Sequence, residues 1–99
     1  MNRLLIMAMM LALSQAIQAD DDYYYQCDKD ERLKYIAVTY DSKTSNVPCS
    51  VMYSKKDKPV ELWHAEIQAS YCESKASIFA ENQKDKGWNC TKNMGKPPK

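Results

Sequence analysis

Four cysteines are the residues with the clearest chemistry in this 99-residue chain. Cys27, Cys49, Cys72 and Cys90 lie 22, 23 and 18 residues apart, so the chain has no CxxC pair. Zinc sites and thioredoxin-like redox sites use such close pairs, whereas an even cysteine count in a small exported domain indicates disulfides. We therefore predict two disulfides. Of the three connectivities, we favour Cys49–Cys72, which would join a strand to a helix, with Cys27–Cys90, which would join the two ends of the domain.

The remaining side chains offer little for catalysis or metal binding. His64 is the single histidine, and a Cys–His nucleophile needs a free thiol, which two disulfides would remove. The acidic residues at 20–22 and 28–31 lack the glycine and the ligand spacing of a calcium loop. A chain this short also leaves little room for a sugar cleft between paired carboxylates. We therefore predict no catalytic, metal-binding or cofactor-binding residue, and a protein that is not an enzyme.

The N-terminus has the anatomy of a secretory signal peptide. Arg3 precedes an uninterrupted apolar run over 4–13, and a polar stretch over 14–19 ends in the small residue Ala19. Peptidase cleavage after Ala19 is predicted, with a cut after Ala16 as the alternative. The run is too short to span a membrane, so no stable anchor is expected after cleavage. The mature protein is then periplasmic or secreted, where disulfides persist.

The charge is nearly balanced overall but unevenly distributed. A formal net charge of +1 argues against a basic nucleic-acid-binding protein, so no nucleic-acid partner is expected. Residues 20–31 hold six acids and one base, and residues 84–99 hold five bases and one acid. Solubility alone could explain this pattern, but a polarised surface could also steer a charged partner. The candidate partner surface combines aromatic and basic residues: Tyr23, Tyr24, Trp63, Lys55, Lys56 and Lys58.

Alternating and β-branched residues predict the first elements. The segments 33–40 and 47–54 are predicted to form two strands of an antiparallel hairpin, after a turn at 28–31. The segment 61–84 is ambiguous, because its apolar spacing also fits one long helix. We prefer a third strand at 60–65 and a helix over 71–86.

The ends of this helix have their own signals. Ser70 and Glu73 have the spacing of a capping box, and Gly87 is expected to end the helix. The segment 88–91 could form a short final strand.

These elements predict an α+β domain with a small antiparallel sheet of two to four strands and one C-terminal helix packed on it. A single disulfide-linked domain is expected over 20–92, with a flexible tail at 93–99. The candidate core residues are Ile36, Val38, Val51, Leu62, Ala76, Phe79 and Trp88.

Several segments spread over the mature chain resemble small exported four-cysteine bacterial proteins of uncharacterised function. They are YQC at 25–27, IAVTY at 36–40, VPCSV at 47–51, LWHA at 62–65, YCESKA at 71–76 and GWNC at 87–90. This resemblance implies no activity. The start alone, YQC followed by an alternating strand, is similar to periplasmic inhibitors of C-type lysozyme, which are all-β barrels.

Three functional hypotheses follow. The first is a non-enzymatic periplasmic or secreted binding or accessory protein, acting through its surface on a periplasmic or extracellular protein. The second is an inhibitor of a lysozyme-type muralytic enzyme, which predicts a protruding loop that blocks a cleft. The third is a small hydrolase, which predicts a deep pocket with convergent acids.

Overall fold

The computed structural model of the protein describes residues 21–56 and 58–98. The predicted signal peptide and its cleavage site lie outside these residues. The described elements are, in chain order, β1 (Tyr23–Lys29), β2 (Arg32–Tyr40), β3 (Cys49–Ser54), β4 (Val60–Ala65), α1 (Tyr71–Asp85) and β5 (Asn89–Met94). In this part of the chain no helix is long and apolar enough to cross a membrane.

The strands form one antiparallel sheet in the order β4-β3-β2-β1-β5. Strands β1 to β4 follow one another as hairpins, and α1 then returns the chain to the far edge, where β5 pairs with β1. The strand at 60–65 is thus confirmed over the single long helix. The sheet has five strands, however, so the predicted range of two to four was too low.

The strand missing from the prediction is β1. It continues through Asp28 and Lys29, and the turn consists of Asp30 and Glu31 alone, with φ angles of 49° and 68°. Positive φ at both central residues defines a type I′ hairpin turn, which usually contains Asn-Gly or Asp-Gly. Because Asp30-Glu31 lacks glycine, the sequence signal for a tight hairpin was absent.

Helix α1 packs on one face of the sheet, which we call the covered face. Ile36, Val38, Val51 and Ala76 are fully buried there, as predicted. Phe79 and Trp88 are half-buried and pack against this core.

Leu62 does not belong to the core, because its side chain is 39% exposed. The register between β3 and β4 shifts here: Val51 faces Trp63 and Met52 faces Glu61, so Leu62 has no partner residue on β3. Trp63, which packs on Phe79 of α1, faces the covered side, so the adjacent Leu62 points away from the core.

Both predicted disulfides are confirmed. Cys27 and Cys90 are register partners on β1 and β5, and Cys49 on β3 is bonded to Cys72 in the first turn of α1. All four sulfurs lie on the covered face, where the cysteines are almost fully buried. Chain-entropy arguments assign about 3 to 4 kcal/mol to each loop of this length. The disulfides therefore supply much of the stability that so small a core lacks.

The capping box predicted at the start of α1 is wrong. Ser70 has a left-handed backbone with φ 68°, and its side chain makes no capping hydrogen bond. An N-cap residue normally has a β-region backbone, which directs its side-chain oxygen at the first free N–H groups. Glu73 instead accepts a hydrogen bond of 2.6 Å from the Tyr40 hydroxyl on β2.

The predicted end of α1 at Gly87 is confirmed. Gly87 has φ +93°, its N–H donates to the Lys84 carbonyl, and the Trp88 N–H donates to the Gln83 carbonyl. This pair of bonds is a Schellman motif with glycine at the left-handed position. It turns the chain directly into β5.

Candidate functional site

A groove lies on the face of the sheet opposite to α1, which we call the open face. Its volume is about 630 Å³. Its floor contains Leu33, Tyr35, Ala37 and Thr39 of β2 with Met52 and Ser54 of β3. One wall is the β3–β4 loop with Lys55, Lys56, Lys58 and Pro59, and the other is the C-terminal segment Lys96, Pro97 and Pro98. We call this feature the open-face groove.

The floor follows from strand geometry. Successive side chains of a strand point to opposite faces, so Ile36 and Val38 face α1 while Tyr35 and Ala37 face the groove. Ala37 and Met52 are register partners on β2 and β3 and therefore lie side by side. Strand β2 is thus apolar on both faces, although α1 covers only one. This places neighbouring apolar side chains within reach of a ligand on the open face.

The rim of the groove is basic. Of the described lining residues, every ionisable side chain other than Tyr35 is a lysine. Lys55, Lys56 and Lys58 are exposed, and none of the ion pairs found among the described residues involves them. The loop sequence at 55–58 contains three bases and one acid. The groove therefore presents a positive potential above an apolar floor.

Asp22 holds the C-terminal wall against the sheet. Its carbonyl accepts a hydrogen bond of 2.8 Å from the Gly95 N–H, and its Oδ2 lies 2.6 Å from Lys96 Nζ. Its Oδ1 accepts a bond of 3.0 Å from the Tyr40 N–H, which fixes the carboxylate on β2. Asp22, near the start of the domain, therefore positions the C-terminal wall of the groove.

A polar cluster lies on the open face beside this groove. Ser50 Oγ is 3.0 Å from His64 Nδ1, and His64 Nε2 is 2.6 Å from Glu66 Oε2. Ser50 is the register partner of Thr39, so the cluster adjoins the groove floor. The hydrogen bond with Glu66 raises the pKa of His64, and the charges of Glu66 and Glu61 act in the same direction. This order of groups matches nucleophile, base and orienting acid, but all three lie at an open surface.

A second cluster surrounds Trp88 on the covered face, near the C-terminal end of α1. Lys34 Nζ lies 3.9 Å from the ring centroid of Trp88 and donates a bond of 2.6 Å to Gln83 Oε1. Arg32 lies 5.2 Å from the same ring. Burial lowers the pKa of Lys34, and neighbouring bases, Lys55 first, lower it further. The hydrogen bond satisfies the side-chain carbonyl of the buried Gln83 and joins the end of α1 to β2.

The residues predicted as a partner surface fall on both faces of the sheet. Lys55, Lys56 and Lys58 come together at the groove. Tyr24 lies on the open face with its ring 5.9 Å from that of Tyr35.

The other two aromatic residues lie on the covered face. Tyr23 is only 6% exposed and belongs to the core, and the half-buried Trp63 packs 5.9 Å from Phe79. Tyr23 and Tyr24 are adjacent in a strand and must therefore point in opposite directions. Tyr23 thus contributes to stability rather than to an exposed surface.

Sequence reasoning missed the groove floor. The signal was present in the segment 33–40, where apolar or aromatic side chains fall on both faces of one strand. A single predicted helix can cover only one of those faces. The sequence gives no signal that Lys96 lies at the groove, because its position there depends on the contact with Asp22 at the other end of the domain.

Fold and site together define a disulfide-linked α+β domain with one uncovered, lysine-rimmed sheet face. Comparisons with protein-family models, with curated proteins and with solved structures find no match to this chain. Within residues 21–56 and 58–98, no group of three His, Cys, Asp or Glu side chains is arranged to hold a metal ion.

Proposed function

We propose that this chain is an exported, non-catalytic binding protein and that the open-face groove is its binding surface. The observation that supports this proposal is the groove floor, whose apolar side chains lie on the face of the sheet that α1 does not cover. Leu33, Tyr35 and Ala37 of β2 and Met52 of β3 place apolar or aromatic side chains next to one another on this face. The two disulfides fit a periplasmic or extracellular protein.

The size of the groove also favours binding. Its volume of about 630 Å³ lies in the range of small-ligand sites. Such sites typically combine an apolar lining with a few polar groups that orient the ligand. Here Thr39 and Ser54 supply hydroxyls, and the lysines supply charge at the rim.

A capture experiment with matched variants tests the proposal. The oxidised protein is immobilised and exposed to periplasmic and extracellular extracts, and bound proteins and small molecules are identified by mass spectrometry. Leu33→Gln changes the groove floor, and Leu62→Gln is the control, since these leucines are 43% and 39% exposed. We expect Leu33→Gln to lose the captured species and Leu62→Gln to keep it. Equal capture by both variants would exclude the groove as the binding surface.

Inhibition of a lysozyme-type enzyme is a second candidate, favoured by the exposed basic loop. Muralytic hydrolases of this type work with a pair of carboxylates in a cleft, and Lys55, Lys56 and Lys58 are complementary in charge to such a pair. Titrating a lysozyme with the oxidised protein tests this candidate. Loss of muralytic activity that Lys56→Glu reverses would support it, and full activity at stoichiometric excess would exclude it.

The hydrolase hypothesis is favoured by one observation, the hydrogen-bonded series Ser50, His64 and Glu66. Against it, the side chains of His64 and Glu66 are 36% and 72% exposed, whereas acyl-transfer sites exclude water. Under the binding proposal, hydrolysis of p-nitrophenyl acetate by the protein does not exceed that by Ser50→Ala. A rate that falls at least tenfold in Ser50→Ala would favour the hydrolase instead.

A further inference from the structure

The groove floor constrains the chemistry of its ligand. Tyr35 and Ala37 on β2 and Met52 on β3 lie in strands that are paired on both sides at these positions. Their backbone groups are therefore engaged in the sheet, and a ligand on the floor meets only side chains. A peptide strand lying there would find only the hydroxyls of Tyr35, Thr39 and Ser54 for its many N–H and C=O groups, and the remaining groups would face apolar side chains, which is costly. A hydrocarbon body has no such groups and incurs no such cost.

The rim sets the charge of the ligand. Lys55, Lys56 and Lys58 stand along one wall and Lys96 stands on the other, with no carboxylate among the described lining residues. Lys96 is already paired with Asp22, so the three loop lysines are the groups available to an anion. Lysine ammonium groups are mobile point charges, and a single anionic head at the end of a flexible chain can reach them.

We infer that the open-face groove binds a fatty carboxylate, with its chain along the floor and its head group among Lys55, Lys56 and Lys58. This inference rests on the proposed function and names the ligand class of the same groove. Both parts of the ligand are needed, because the floor offers no charge and the charged groups of the described lining all stand on the walls. Affinity should therefore depend on chain length and on head-group charge separately.

Calorimetric titration with single-chain amphiphiles below their micelle concentrations tests the inference. The probes are octanoate, decanoate and dodecanoate, with dodecyltrimethylammonium as the cation of equal chain length. The protein is purified in oxidised form from the periplasm of a bacterial expression host. We expect dodecanoate to bind in the groove, with Kd falling by up to about fourfold for each added carbon. The cation should bind at least about tenfold more weakly, because the rim repels it.

Matched charge reversals locate the head group. Lys56→Glu/Lys58→Glu changes the rim, and Lys43→Glu/Lys84→Glu makes the same change in net charge away from the groove. The rim variant should weaken dodecanoate binding by about tenfold or more, and the control variant by less than about twofold. All four lysines are exposed, so both variants should fold, and unchanged circular dichroism and Tm verify this.

Leu33→Gln is the second groove variant, and it should weaken dodecanoate more than octanoate because it alters only the floor. Backbone amide shifts in NMR spectra should move at the open face on addition of dodecanoate and stay constant on α1.

Three outcomes would overturn the inference. They are equal affinity for dodecanoate and dodecyltrimethylammonium, an equal loss of dodecanoate affinity in the rim and control variants, or no binding of dodecanoate to the parent protein. If dodecanoate fails while capture from extracts still depends on Leu33, the ligand belongs to another class and the proposed function stands. If neither the probes nor the captured species depend on the groove, the proposed function fails as well.

Discussion

The two faces of strand β2 differ in what lies against them. On the covered face, Ile36 and Val38 are fully buried under α1, and both disulfides lie in the same layer. On the open face, Leu33 is 43% exposed and Tyr35 lines a groove instead of a core. Both faces of β2 carry apolar side chains, but α1 packs on the covered face alone. This difference directs the search for function to the open face.

The largest expected effect is on the covered face and comes from removing its disulfides. Cys27→Ser/Cys90→Ser opens a separation of 63 residues, and Cys49→Ser/Cys72→Ser opens one of 23. Chain entropy predicts a loss of about 4 and about 3 kcal/mol in the free energy of unfolding, respectively. Urea denaturation of each double variant measures these losses. A loss below about 1 kcal/mol in both would show that the sheet and helix need no covalent support.

The next effect contrasts the two faces directly. Ile36→Ala on the covered face should reduce the free energy of unfolding by about 3 kcal/mol, because it leaves a cavity under α1. Met52→Ala on the half-buried open face should cost less than about 1.5 kcal/mol, since water can fill the space. Urea midpoints at constant m-value compare the two variants. Similar losses would mean that Met52 is part of the folding core and that the open face is structural.

The same contrast explains how much of the molecule could be predicted. The strand at 60–65, the helix and its end at Gly87 follow from local pattern and agree with the structure. The favoured cysteine pairing, one of three that the sequence leaves open, agrees as well. The type I′ turn at Asp30-Glu31 and the bulge at Leu62 have no local signal, because strand pairing imposes them. These two features can be predicted only when the register of all the paired strands is known.

The groove was harder to predict than the fold. The loop lysines were singled out from charge alone, but their neighbours on the floor come from β2 and β3, and Lys96 comes from the end of the chain. Which residues share a site depends on which face of the sheet α1 covers. No pattern within one segment contains that information.

A smaller effect concerns the C-terminal wall of the groove. Asp22→Asn removes the charge that holds Lys96, and the pair contributes less than about 1 kcal/mol because Lys96 is largely exposed. Global stability should therefore change little, while hydrogen exchange at the Gly95 amide becomes faster. Asp21→Asn, at an exposed neighbouring carboxylate, is the control and should leave this exchange unchanged. Equal exchange in both variants would indicate that backbone bonding alone holds the wall.

The smallest effect is a pH dependence at the polar cluster beside the groove. The hydrogen bond from His64 to Glu66 raises the pKa of His64 above its ordinary value of 6.5 in the folded protein. The contribution of this hydrogen bond to the stability of the folded protein is therefore fully present while the pH lies below the pKa of His64 in the unfolded chain. It is lost as the pH rises through the pKa of His64 in the folded protein. An NMR titration of the His64 ring should give a pKa above 6.5 that falls in Glu66→Gln and stays constant in Glu81→Gln. A pKa at or below 6.5 in the parent protein would contradict the contact. Because His64 is an exposed residue on the edge strand β4, the pH effect should be confined to the edge formed by β3 and β4 on the open face, leaving the unfolding of the covered face unchanged.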